Sequence, residues 1–383
     1  MANKHIKRIN ALLNKTAEIS LSGRKRVIYP VKIISFAVIS VIVLSFIISF
    51  IFSAKGTDNV NIGFEMGNDY KATAAGTTVA LSNNRGVTGI ADNGKIKWRI
   101  EKALSEPTLD TRGEYLLLYD MEGKHFAASY KNGKQKNEYN IENDIISAKI
   151  THRGYAAFAT ETDGYKGRVV VFDKKGKLKF EWKNGGGYIS DIDITENGKY
   201  LAVAQFSAGE TEIVSKINFI DTVRGDIIGS VERPNEIIAN IKFFNPDKLI
   251  VMTDSNMIGY NHKGKELFVT SLVGKNPTFY DLRSDKLIGI VTHDNRGNSV
   301  LEFYSMGGKL RSSYVASGEI RGLSVRGNTA IIADRNGVVR VSASGRAKSV
   351  KQISHDIKDI ELFESSNRAL VVGAAQAEVM GVR

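Results

Sequence analysis

One hairpin signal recurs along the chain, and its spacing narrows the folds open to it. The stretches DNGKIKW (92–98), KNGKQKNEY (131–139), DKKGKLKFEW (173–182), DTVRGDIIGSV (221–231), NHKGKELFV (261–269), SMGGKLRSSY (305–314) and ASGRAKSV (343–350) each carry a glycine in a polar turn. Glycine supplies the positive φ that a tight hairpin needs. The marker glycines are Gly94, Gly133, Gly176, Gly225, Gly264, Gly308 and Gly345, spaced 39, 43, 49, 39, 44 and 37 residues apart. Between them run short β-rich segments such as EYLLLYD (114–120), RVVVFD (168–173), YLAVAQF (200–206), KLIVMTD (248–254), KLIGIVT (286–292), TAIIAD (329–334) and RALVVG (368–373). Each is bounded by Gly, Asn or Asp, the pattern of many short antiparallel strands. Long apolar helical faces are hard to find after residue 54, and the chain has only 5 prolines to interrupt strands. A period near 40 that holds four strand-sized segments reads as a β-propeller blade.

Placing each marker turn between the third and fourth strands of a blade tests the count. First strands are then expected to begin near Tyr70, Ala103, Ile145, Tyr188, Ile237, Pro277, Glu319 and Ile357. That makes eight starts, and the last has room for only three strands, ending in QAEVMGV (376–382). NVNIGFEM (59–66) is the natural fourth, because pairing it with the last blade would close the ring and remove its open edges. The expectation is an all-β, eight-bladed propeller, with seven blades as the alternative.

Ahead of the propeller, residues 33–53 run 21 positions without a formal charge. At about 1.5 Å per residue a helix of this run reaches roughly 30 Å, the thickness of a bilayer core. A cleaved signal peptide has a shorter apolar region, usually about 7–15 residues, and a small-x-small site. Here Phe52 stands where a small residue is wanted, so an uncleaved signal anchor is the better reading. The formal net charge of +12 follows the same division. Residues 1–32 hold 8 basic side chains against Glu18 alone, whereas the remainder carries 45 basic and 40 acidic ones. The positive flank stays cytoplasmic. The expected layout is therefore a basic cytoplasmic tail (1–32), a transmembrane anchor (33–53) and an extracytoplasmic propeller (54–383). Within the tail, Ile6, Ile9, Leu12 and Leu13 fit a short amphipathic helix on the bilayer surface, and a disordered basic tail fits equally. No basic stripe with interleaved aromatics points to nucleic acid.

The turn GKIKW (94–98) resembles the Gly-Lys-x-x-Trp turn of quinoprotein-like propeller repeats, and GKLKF (176–180) and GKELF (264–268) are similar with Phe in place of Trp. LDTRGEYLLL and ITENGKYLAV look like turn-plus-strand pieces of WD-repeat-like propellers. The whole layout resembles a bacterial family of membrane-anchored quinoprotein-like propellers. The resemblance implies that the turn aromatic packs between neighbouring blades, and that a cofactor need not be present, since many such propellers bind no quinone. The 133, 225 and 345 turns lack the aromatic at its expected place.

Chemistry-bearing residues are sparse. With no cysteine there is no thiol nucleophile, disulfide or cysteine-ligated zinc. The 6 histidines, His5, His125, His152, His262, His293 and His355, form no zinc-type pair. Asp191 and Asp193 alternate in SDIDIT and so share one strand face, suited to acid/base work, to calcium, or simply to a water-filled channel. His293 and Asp294 stand together before the expected loop NRGN, and His355 and Asp356 are the other histidine–acid neighbours; either pair could contact a ligand. No catalytic residue, metal site or cofactor is assigned. The expected role is a non-catalytic scaffold that binds a protein or cell-envelope partner at the outer face of the membrane. The alternatives are a ligand sensor working through a membrane partner, and a quinone-dependent or glycan-acting enzyme.

Overall fold

The computed structural model describes residues 59–63, 70–121, 126–209, 212–335, 337–353, 356–364 and 367–382. The tail 1–32, the anchor 33–53, His5, His125, His355 and positions 64–66 of the expected closing strand lie outside the described residues. Those described contain 32 strands in eight four-stranded antiparallel sheets. They are the blades of a propeller. Blades 1 to 7 span 71–101, 107–140, 145–184, 188–234, 238–271, 279–315 and 322–352, and each runs in sequence order from the innermost strand outward. Blade 8 holds Ile357–Leu362, Arg368–Gly373 and Gln376–Gly381, and takes its outer strand, Val60–Gly63, from the start of the ring. Val60 pairs with Val379 and Ile62 with Ala377. The eight-bladed count is thus found, with the first strands starting at or within a few residues of the expected positions.

The second strands explain why the sequence reads as apolar runs rather than as an alternating pattern. Each blade packs one face on the blade before it and the other on the blade after it. In blade 2, Leu117 and Tyr119 pack on Ile145, Ala148 and Phe158 of blade 3. Their neighbours Leu116 and Leu118 turn the other way, onto Ala80 and Val87 of blade 1. Blade 4 repeats the device, with Ala202 and Ala204 facing blade 5 and Leu201 and Val203 facing blade 3. The ring closes where Leu370, Val372 and Val379 of blade 8 meet Val79, Leu81 and Ile90 of blade 1. A fully buried aliphatic side chain contributes about 1.5–3 kcal/mol, so these interblade layers supply most of the favourable free energy.

Every marker glycine joins a third strand to a fourth, with φ between 74° and 82°. The turn aromatics lie between blades. Trp98 fills the space over Gly89 in its own blade and Gly133 in the next, and Phe268 does the same with Gly259 and Gly308. In blade 4 the aromatic has moved. Gly229 takes its place on the fourth strand and lets the Lys263 carbonyl approach, while Phe219, paired opposite on the third strand, covers Gly264. The volume is conserved although the motif is not, which explains why the 225 turn departs from the pattern.

A Cβ at Gly259 would lie 2.3 Å from a ring carbon of Phe268. Gly259→Ala is therefore expected to destabilise the propeller by about 1–3 kcal/mol through overpacking, read as a lower urea midpoint.

Candidate functional site

An innermost strand has a sheet neighbour on one side only. Its other edge faces the channel, where unpaired backbone N–H groups are costly unless a partner reaches them. In this chain the partners are carboxylates from the preceding blade. Asp110 of blade 2 accepts the Ile150 N–H of blade 3 at 2.7 Å. Asp191 and Asp193 of blade 4 accept the N–H groups of Ile241 (3.0 Å) and Phe243 (2.5 Å) in blade 5. Asp281 of blade 6 accepts Val325 N–H of blade 7 at 2.8 Å, and Asp359 of blade 8 accepts Ala72 N–H of blade 1 at 2.7 Å. The carboxylates come from the even-numbered blades and the N–H groups from the odd-numbered ones. Hydroxyls serve at junctions between. Thr111 donates to the Ala74 carbonyl, and Ser324 accepts from Leu362 N–H.

Buried carboxylates require counter-charges. Lys149 lies 3.1 Å from Asp191, and Arg112 lies 3.4 Å from Asp193. Arg283 bridges Asp281 (2.9 Å) and Glu361 (2.6 Å), and Arg326 joins Glu361 from the other side at 2.6 Å. Burial alone would raise the Asp281 carboxyl. Arg283, Arg326 and the Val325 N–H outweigh it and hold the group well below its ordinary range. Burial likewise opposes the charge on Lys149, yet Asp191, Asp110 and Asp193 raise its pKa. For Asp193 burial prevails over Arg112 and Lys149, and its carboxyl is pushed up.

The sequence candidates separate on this geometry. Asp191 and Asp193 do share one face of their strand, and they are 5% and 1% exposed, with their oxygens engaged by protein donors. Among the described residues no group of three His, Cys, Asp or Glu side chains is placed to hold a metal ion. His293 ends the second strand of blade 6 and lies near the Asn276 carbonyl at 3.5 Å. Asp294 caps the following turn, accepting from Arg296 and Asn298 N–H. Neither reaches the channel groups. Asp356 forms an exposed pair with Arg321.

The channel also holds residues that the sequence did not single out. A cavity of about 270 Å³ is lined by Asp193 together with Asp110, Arg112, Lys149, Lys242, Tyr280, Asp281 and Arg283. A signal for them existed. Once the blade starts are aligned, the first-strand stretches TLDTR, ISAKI, ISDIDI, NIKFF and FYDLR each carry one or two charged residues among uncharged ones. A charge in a short buried strand needs an acceptor or a counter-ion nearby.

Residues 56–382 match a family of unknown function, DUF5711, and the chain belongs to that family. No curated protein matches the sequence. Among solved structures the chain is similar to the C-terminal WD40 domain of Sif2, with a TM-score of 0.59 at 11% identity over 85% of this chain and 99% of that one. It is similar to the computationally designed protein Ika8, with 0.57 at 12% over 83% and 97%. It is also similar to BamB from Moraxella catarrhalis, with 0.51 at 14% over 84% and 96%. At these identities the likeness concerns the propeller fold.

Two variants test the network. Asp281→Ala strips Val325 N–H of its acceptor and leaves Arg283 with Glu361 alone. The expected loss is about 3–5 kcal/mol in a urea titration. Asp359 behaves differently, because burial and the neighbouring Glu361 raise its carboxyl from 3.8 to about 6. Its folded form keeps the proton longer than the unfolded form. The stability it contributes is whole below about pH 4 and is lost as the pH rises through 6. In Asp359→Asn the fall in stability between pH 4 and pH 7 should be smaller by roughly 2–3 kcal/mol than in the parent.

Proposed function

We propose that this propeller is a non-catalytic docking frame for a protein partner, held at the outer face of the cytoplasmic membrane by residues 33–53. The observation that carries this reading is an arc of exposed apolar side chains at one end of the ring. In blades of four antiparallel strands, the turns joining strands two and three emerge at the same end as the connections to the next blade. Tyr165, Tyr188, Phe206, Ile213, Ile237, Val273, Phe279 and Val315 all lie at this end, on blades 3 to 6. Val273 is 73% exposed and Ile237 52%. Tyr188 and Phe206 already touch, with ring centroids 5.9 Å apart, and the Lys166 ammonium sits over Tyr188 at 4.5 Å. A cleft of about 430 Å³ opens beside them, lined by Ala208, Glu212, Ile213, Asn235, Ile237 and Asp254.

Clustered exposed aromatics and aliphatics on a rigid frame are what a protein partner anchors on. At the opposite end Ile96, Leu178, Ile227, Leu267 and Leu310 are also exposed, but they lie on the outer strands of different blades. The near-balanced charge of the propeller does not favour nucleic acid. The positive charge is instead concentrated in the tail 1–32, where it orients the anchor 33–53. The channel network argues against an enzyme, since its carboxylates are committed to structural partners.

The test is in-cell crosslinking of the full-length protein followed by affinity capture. The comparison proteins are the same anchor without a propeller, the double variant Tyr188→Asp/Phe206→Asp, and Leu178→Asp as an opposite-end control. A partner captured by the parent and by Leu178→Asp, but about tenfold less by the double variant, is expected. Equal capture by the bare anchor would overturn the proposal.

A further inference from the structure

The channel cavity is lined by a lysine, Lys242, that forms no hydrogen bond or ion pair with the described residues. Its side chain lines the cavity between Arg112 and Asp193 on one side and Asp281 and Arg283 on the other. Tyr280 lines the same space, and its hydroxyl likewise has no hydrogen-bond partner among the described residues. The acceptors that might have served are engaged elsewhere. Asp110 holds Ile150 N–H, Asp193 holds Arg112 and Phe243 N–H, and Asp281 holds Arg283 and Val325 N–H. Lys149 and Arg283 in turn have Asp191 and Glu361. Lys242 and Tyr280 thus line a polar space, and among the described residues neither side chain has a hydrogen bond to a protein acceptor.

We propose that this cavity is a binding site for a small oxyanion, a carboxylate or phosphate compound, with Lys242 as its counter-charge and Tyr280 as a second donor. The volume of about 270 Å³ would hold roughly nine waters at about 30 Å³ each, so the ligand is a small metabolite-sized anion rather than a polymer. An ammonium suits this role as a point charge with three rotatable donors. Arg112, Lys149 and Asp193 lie toward the ends of their first strands that are away from the apolar arc, whereas Tyr280 directly follows Phe279 of that arc.

The electrostatics make binding proton-linked. Burial and the neighbouring Arg112 lower the Lys242 pKa to about 7, against the pull of Asp193, Asp110 and Asp281. The groups facing it are Asp110 and Arg112 from blade 2, Lys149 from blade 3, Asp193 from blade 4, and Tyr280, Asp281 and Arg283 from blade 6. An arriving oxyanion favours the ammonium, so binding takes up a proton when the pH is above 7. Affinity should then fall about tenfold per unit as the pH rises from 7.5 to 8.5.

The experiment is isothermal titration of the full-length protein in detergent with inorganic phosphate and, separately, succinate, at pH 6.0, 7.5 and 8.5. Repeating each titration in two buffers of different ionisation enthalpy counts the protons taken up. Saturable binding of either probe at pH 6.0, weakened at least tenfold in Lys242→Met and about threefold or more in Tyr280→Phe, is expected. Lys242→Arg should bind with affinity that no longer falls across pH 7.5–8.5. Phosphate alone, succinate alone or both would fix the ligand class. No binding of either probe at 10 mM and pH 6.0, or binding unchanged by Lys242→Met, overturns the proposal. The Tyr280→Phe and proton-uptake measurements decide the matter should Lys242→Met fail to fold.

Discussion

The inner edge of each blade sets the problem around which this propeller is built. Eight first strands crowd about one axis, each with a row of backbone groups and no sheet neighbour on that side. Water can satisfy such an edge only where the channel is wide. Here Asp110, Asp191, Asp193, Asp281 and Asp359 satisfy it instead, each reaching an N–H of the following blade. Once these carboxylates are buried, cations must follow, and Arg112, Lys149, Arg283 and Arg326 are the result. The polar centre is therefore a structural consequence of closing the ring, and it ties neighbouring blades together by directional bonds where apolar packing is thin.

Farther from the axis the work passes to apolar layers. The second strands split their side chains between two neighbours, so no blade has a core of its own, and each depends on the blades beside it. The outer strands turn polar and lysine-rich, which discourages pairing with other chains at the rim. A frame joined at both radii holds its loops in fixed relation to one another. That rigidity lets the apolar side chains of blades 3 to 6 act as one surface, and it holds the charged residues around Lys242 in place.

The fold was legible because its determinants are local. Turn glycines from Gly94 to Gly345 mark one hairpin per blade, and apolar runs such as YLLLYD and YLAVAQF mark the strands that are buried on both faces. The site was legible only in part. Asp191 and Asp193 drew attention because they alternate on one face of a single strand, yet their partners Arg112, Lys149, Ile241 and Phe243 come from three other blades. A single sequence does not display pairings made across forty or more residues until the register of every blade is known. Nothing in the segments of Asp110, Asp281 and Asp359 shows the N–H groups of the next blade that they reach. The shift of an aromatic from the fourth strand to Phe219 in blade 4 was hidden for the same reason, since only the paired strands show that Gly229 and Phe219 trade volume.

The most direct measurement of this account is amide hydrogen exchange at Ala72, Ile150, Ile241, Phe243 and Val325. If the carboxylates secure the inner edge, these amides should exchange only by global unfolding, with protection equal to that of Leu117 or Val203 in the second strands. Exchange at the rate of the surface turns would show that the inner edge is open to water, and that the ring of aspartates does not hold the propeller together.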